Sequence, residues 1–423
     1  MKRRLSAIFT AVFVFGAIAS AEDWPAFRGP TGSGLSNEAD VPTEWAPDKN
    51  IKWKTKLPRP GNGSPIVSND RVFLACAEDA QGLKRSLYCF DRADGKQLWV
   101  RTVELEREMP THKTNPYCGS TPVADGKRVV VWHSSGGLHC YDFAGNELWS
   151  RNLGEFDHMW GYGSSPILHQ GKIFLNCGPG RKRSFATGID LASGNTLWET
   201  DEPFEGDGNQ NENEKYMGSW STPVIANVGC QYQVICTMPT RLIGYDPDSG
   251  EIVWTCDGIR GPKGDLAYSS PLILGELCVT IGGFNGPGIG LRLGGSGNVT
   301  AERRLWRNDK NPQSIGTGVF IGKHVYRSNA GRPSVIQCID AETGEVVWTG
   351  PAGGSSWSSI VAAAGNLYLT NQEGTTLVFK PNPTEFKAVA VNELGEPSNS
   401  TMAISDGEIF IRTFEHLYCI AEG

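Results

Sequence analysis

No two of the eleven cysteines are adjacent or separated by two residues, so the paired thiolates of a structural zinc site are missing. A G-x-S-x-G nucleophile turn is also absent. The glycine-rich stretch GGFNGPGIGLRLGGSGN (282–298) lacks the GK[ST] ending of a phosphate loop, and it reads as an excursion within a repeat unit. DGNQNENE (207–214) hints at a calcium loop, but the sixth position is Glu212 instead of Gly and the twelfth is Gly218 instead of an acid. Basic excess is lacking too. With 39 Lys and Arg against 46 Asp and Glu the net charge is −7, which argues against nucleic acid or anionic membrane surfaces as partners.

Long apolar runs are confined to the N-terminus. Lys2, Arg3 and Arg4 precede an apolar stretch that ends in Ala19-Ser20-Ala21, the layout of a secretory signal cleaved near Ala21. No cysteine stands there to carry a lipid. Removal of residues 1–21 leaves 39 − 3 = 36 basic against 46 acidic residues, a net of −10. The expected product is periplasmic or secreted, with no later membrane span.

What the chain has in abundance is glycine (52), proline (25) and tryptophan (13). Seven tryptophans, Trp53, Trp99, Trp149, Trp198, Trp254, Trp306 and Trp348, recur at gaps of 46, 50, 49, 56, 52 and 42 residues, a period typical of propeller blades. Gly95, Gly145, Gly194, Gly250 and Gly344 each stand four residues before a Trp, and an Asp stands seven or eight before it. Asp followed by Gly suits a hairpin turn. Each unit opens on a small residue and Pro, as at Ser64-Pro65, Thr121-Pro122, Ser165-Pro166, Thr222-Pro223 and Ser270-Pro271. Weaker openings follow at 316–322, 358–369 and 400–411, for a total of eight.

The chain ends on LYCIAEG without a Trp strand, while IKWKTKL (51–57) supplies one at the start. The expected fold is therefore all-β: an eight-bladed propeller of four-stranded antiparallel blades, closed by pairing N- and C-terminal segments in one blade. Its parts are a signal (1–21), a leader (22–49) and the propeller (50–423). The seven tryptophans are expected to dock blade on blade.

Cys89, Cys140, Cys338 and Cys419 occupy one slot of the repeat, where other units carry Gly188 and Gly244. Small buried thiols are the expectation, with Cys76 and Cys177 alike; Cys230 and Cys236 are the pair best placed for a disulfide. His112, Tyr117, His158, Trp160, Tyr162, Tyr216, Trp220, Tyr268 and Trp357 fall just ahead of inner strands. Together they form a candidate binding surface at the channel mouth for a protein, glycan or other small ligand. The alternative is that they pack the loops. No catalytic residue and no metal ligand stand out.

The strings LYCFDRADGKQLW, LIGYDPDSGEIVW and IQCIDAETGEVVW resemble the repeat of the pyrroloquinoline-quinone (PQQ) propeller family of secreted bacterial proteins. The leader DWPAFRGPTGSGLS looks like that of many secreted members. The resemblance implies kinship with two branches. Quinoprotein alcohol dehydrogenases hold PQQ with calcium, often against an adjacent Cys-Cys disulfide and a Trp. The propeller subunit of the outer-membrane barrel-assembly machinery binds protein partners. The sequence shows no adjacent cysteines, no haem CxxCH motif and no recognisable calcium set. It therefore points to a monomeric, non-catalytic binding or scaffold module without a cofactor, with a PQQ/calcium-dependent oxidoreductase or a glycan-binding or glycan-processing propeller as alternatives.

Overall fold

A computed structural model describes residues 23–180, 183–202 and 217–422. The expected signal (1–21), Tyr216 and the rejected calcium loop at 207–214 lie outside the described residues. Eight blades of four antiparallel strands form the ring; seven stand as four-stranded sheets, and blade 4 carries a fifth strand paired in parallel to its edge. Blade 1 runs through Ile66–Ser68, Arg71–Ala77, Lys84–Asp91 and Gln97–Glu104. Blades 2 to 7 repeat that order from first strands at Val123–Ala124, Ile167–His169, Val224–Val228, Leu272–Leu274, Val319–Ile321 and Val361–Ala363. Blade 8 combines Ala403–Ser405, Glu408–Arg412 and His416–Ile420 with the N-terminal Ile51–Lys56, which pairs Trp53 with Cys419. The closure read from the sequence is thus present, and it ties the two ends of the propeller into one blade.

The Trp and Gly of the repeat act across blades. Trp53 donates to Arg92 O (2.8 Å), Trp99 to Phe143 O (3.0 Å), Trp149 to Leu191 O (3.0 Å) and Trp198 to Pro247 O (3.1 Å), each in the turn of the next blade. A Cβ on Gly95 would lie 2.4 Å from Trp53, and one on Gly250 2.4 Å from Trp198. Gly250 also has φ +73°, so the turn needs glycine twice over. Each docked ring contributes about 2–3 kcal/mol by burial.

Within a blade, the Trp faces the Cys or Gly slot directly. Cys89 pairs with Trp99, Cys140 with Trp149, Gly188 with Trp198 and Cys338 with Trp348. At Gly188 even a Cβ would come within 2.4 Å of the indole. Ten of the eleven cysteines are buried and all are free, and the candidate Cys230–Cys236 disulfide is not formed. Cys230 is the exposed one. Burial raises the thiols, to about 12 at Cys76, Cys89 and Cys140.

The junction of blades 4 and 5 breaks the pattern. In place of a short turn, blade 5 sends residues 293–303 back over blade 4, where Gly297–Asn298 pairs parallel with Trp254 and Thr255. Trp254 stays in a core shared with Ile289 and Leu291 of blade 5. Its indole instead donates to Gln233 Oε1 of its own blade (2.8 Å). The glycine-rich stretch therefore divides into a loop, the strand Gly288–Arg292 and the start of this flap.

The small-residue openings build the wall of the channel. Ser64 N donates to Thr121 Oγ1, Thr121 N to Ser165 Oγ, and Ser165 N to Thr222 Oγ1, at 2.9–3.0 Å. The chain resumes from Ser270 N to Thr317 Oγ1, then to Ser359, Thr401 and back to Ser64. Seven links of an eight-membered ring are thus bonds from a backbone N–H to a hydroxyl oxygen. Near the Thr222–Ser270 step, Met217–Ser219 pairs parallel with Asp265–Ala267.

The leader crosses the opposite end of the channel. Trp24 pairs with Val67 of blade 1, Pro25 O accepts from Ala124 of blade 2, and Gly34 O accepts from Ala362 of blade 7. Between them Arg28, 1% exposed, donates to the carbonyls of Gly32, Ser33, Thr317, Gly318 and Ile360. Burial lowers its pKa to about 9, while five carbonyl dipoles favour the charged form.

Candidate functional site: the channel cup

With one end crossed by the leader, the channel becomes a cup of about 380 Å³, within the range of small-molecule sites. All eight ring hydroxyls line it. So do the residues two positions before them: Asn62, Gly119, Gly163, Trp220, Tyr268, Ile315, Trp357 and Asn399. Extended chain alternates its side chains with period two, so these positions share a face with the hydroxyls. Gly119 stands close to Asn115 Oδ1 and Gly163 close to the Trp220 ring, and His112, Asn115 and Trp160 reach the cup from the preceding loops. Phe27 of the leader also lines the cup.

One wall is aromatic. Trp160 contacts Trp220 (ring centroids 5.8 Å apart) and Phe284 (5.1 Å); Tyr268 contacts Trp220 (5.4 Å) and Phe284 (6.4 Å). The glycine before Phe284 permits this approach, since a Cβ on Gly283 would lie 2.6 Å from the Tyr268 ring. His158 backs the wall edge-on to Trp220 at 4.9 Å and accepts from Trp160 N at Nδ1 (3.1 Å).

The other wall is made of amides. Gln372 donates to Asn399 (3.0 Å), Asn399 to Asn62 (3.1 Å), Asn62 to Asn115 (3.0 Å), and Asn115 to the carbonyls of Trp160 and Tyr162. The second proton of Asn62 and of Asn399 goes to Thr114 O.

Of the nine expected mouth residues, His112, Trp160, Trp220, Tyr268 and Trp357 line the cup. Tyr117 and Tyr162 do not. Tyr117 is buried over Gly82 and Arg85, with its hydroxyl donating to Met109 O (2.7 Å). Tyr162 packs on Trp132 and Arg85. These two follow the packing alternative, and His158 supports the wall from behind. Tyr216 lies outside the described residues. Sequence reasoning missed Phe27, Phe284, the amides and the hydroxyl ring. The place two before each opening hydroxyl is the signal that would have found several of them.

Among the described lining residues there is no Asp, Glu, Lys or Arg, and His112 is the only titratable side chain besides Tyr268. Burial raises the Tyr268 phenol. A calcium ion would find amide oxygens but no carboxylate, and a quinone bearing three carboxylates would find no cation. This lining does not fit PQQ with calcium. Elsewhere among the described residues, Glu396, Glu415 and His416 bring ligand atoms within 4.8 Å of one another. Glu396 already accepts from His416 Nδ1 (2.8 Å), Tyr418 (2.7 Å) and Thr413, which accounts for the cluster as structure.

Residues 40–115 and 83–350 match the family model described as outer membrane protein assembly factor BamB. A comparison with curated proteins gave no match. Among solved structures, the chain is similar to BamB from Moraxella catarrhalis, with 13% identity, TM-score 0.57, and 87% of this chain and 96% of that one covered. It is also similar to the quinohemoprotein alcohol dehydrogenase from Comamonas testosteroni (13%, TM-score 0.65, 94% and 80% covered) and to a europium-containing methanol dehydrogenase (10%, TM-score 0.64, 95% and 98% covered). At these identities the likeness concerns the fold.

Proposed function

The chain belongs to the family described as outer membrane protein assembly factor BamB, and from that premise we propose that it is a non-catalytic binding module of the periplasm or the exterior. Its ligand or partner is held at the channel cup. The observation that carries this reading is the uncharged lining: aromatic rings, amides and hydroxyls converge there without a carboxylate, Lys or Arg among the described residues. Such a surface binds by stacking and neutral hydrogen bonds, and offers no strong acid or base for chemistry.

The test is an equilibrium titration of PQQ, with and without excess calcium, followed by dye reduction with simple alcohols and sugars. The expected result is neither binding nor turnover. Tight calcium-dependent binding with turnover would contradict the proposal in favour of a quinone-dependent oxidoreductase.

A further inference from the structure

Resting on the cup as a ligand site, we infer its ligand class: a neutral carbohydrate, of the size of a mono- or disaccharide, stacked on the Trp160–Trp220–Tyr268–Phe284 wall. Three features of the cup support this.

The aromatic wall supplies flat apolar surface on one side only, across three blades. A pyranose has an apolar C–H face and a rim of hydroxyls, so it can cover such a wall with one face and bond with its edge. The amide wall is directional. Asn62, Asn115 and Asn399 spend both of their N–H protons inside the chain of amides and carbonyls. What this wall can still offer is oxygen lone pairs, which accept from a ligand that donates.

The floor is the complement. Seven of its hydroxyl oxygens, all but Ser270, accept a neighbour's backbone N–H, which leaves their O–H protons for the channel. A ligand spanning wall and floor must therefore both donate and accept. Alcohols do both with the same atom. A purely apolar aromatic ligand would leave these amides and hydroxyls unmet at a cost per group. A carboxylated one would have no cation among the described lining residues.

The experiment is isothermal titration calorimetry of the full mature chain with cellobiose, maltose and N,N′-diacetylchitobiose. Glucose against glucuronate tests charge, and indole serves as an apolar probe without hydroxyls. At least one neutral sugar is expected to give saturable heat, with glucuronate weaker than glucose. Trp220→Ala should weaken the sugar by about tenfold or more, with partial recovery in Trp220→Tyr. If Trp220→Ala fails to fold, Trp160→Ala, in the same aromatic wall, serves in its place with the same expectation. Binding of indole without any sugar would overturn the carbohydrate assignment and leave the cup as a ligand site. Binding of none of the probes, with or without the substitutions, would overturn both.

Discussion

The turn end of the ring and its mouth are built from the same eight units but on different principles. At the turn end, Trp53, Trp99, Trp149 and Trp198 repeat one contact, an indole bonded to the next blade's turn and lying against a glycine there. At the mouth, eight equivalent positions hold Asn62, Gly119, Gly163, Trp220, Tyr268, Ile315, Trp357 and Asn399, five residue types where the turn end repeats one pair. Repetition serves packing, where every junction poses the same problem. Under the proposed function, variation serves recognition, because one ligand would meet several of these positions at once. The blade 4–5 junction is an instructive exception: once residues 293–303 replace the turn, Trp254 keeps its burial but turns its N–H to Gln233.

The sharpest way to break this comparison is through the turn glycines. Gly250→Ala should cost about 3 kcal/mol, because a methyl meets the Trp198 ring at 2.4 Å and the backbone is held at φ +73°. Gly171→Ala has a similar φ of +75° with nothing within 4 Å, and should cost only about 1 kcal/mol. Urea denaturation reads both, and equal costs would mean that the Trp contact contributes nothing.

A smaller effect is expected in the hydroxyl ring. Ser165→Ala removes the acceptor for Thr121 N and should cost about 1–2 kcal/mol. Ser165→Thr should be close to neutral by the same measurement, since Thr121 and Thr222 fill the same place in their blades. At the mouth, Trp357→Ala should change stability by less than about 1 kcal/mol, because this half-buried ring lines the cup instead of a blade junction.

The cysteines give the mildest test. In the native protein a thiol reagent should label Cys230 alone, and the buried thiols should react only on unfolding. Because burial raises Cys76, Cys89 and Cys140 to about 12 from 9.0, the folded state keeps protons that the unfolded state gives up. Their contribution is whole below pH 9 and declines as pH rises toward 12, so denaturation midpoints should fall over that window.

The fold was legible because a blade states its rules locally. The Asp, Gly and Trp spacing, the small slot at Cys89 or Gly188 and the missing last strand at 417–423 each follow from one unit's geometry. The cup was half legible. Loop aromatics such as Trp160 and Trp220 could be named, but loop position alone did not separate them from Tyr117 and Tyr162, which turn inward onto Arg85. Phe27 and Phe284 stayed hidden because their places depend on distant partners: the leader held by Arg28 to blades 6 and 7, and a loop packed on Tyr268. Such long-range packing leaves no period in the sequence.

The central claim, that the mouth recognises while the turn end holds the ring, is tested most directly by the indole N–H signals of the thirteen tryptophans in a sugar titration followed by NMR. With the disaccharide that gives the strongest calorimetric signal, the account predicts shifts at Trp160, Trp220 and Trp357, while Trp53, Trp99, Trp149, Trp198, Trp306 and Trp348 stay in place. Shifts centred on the latter group, or no shift at the three mouth indoles, would contradict it.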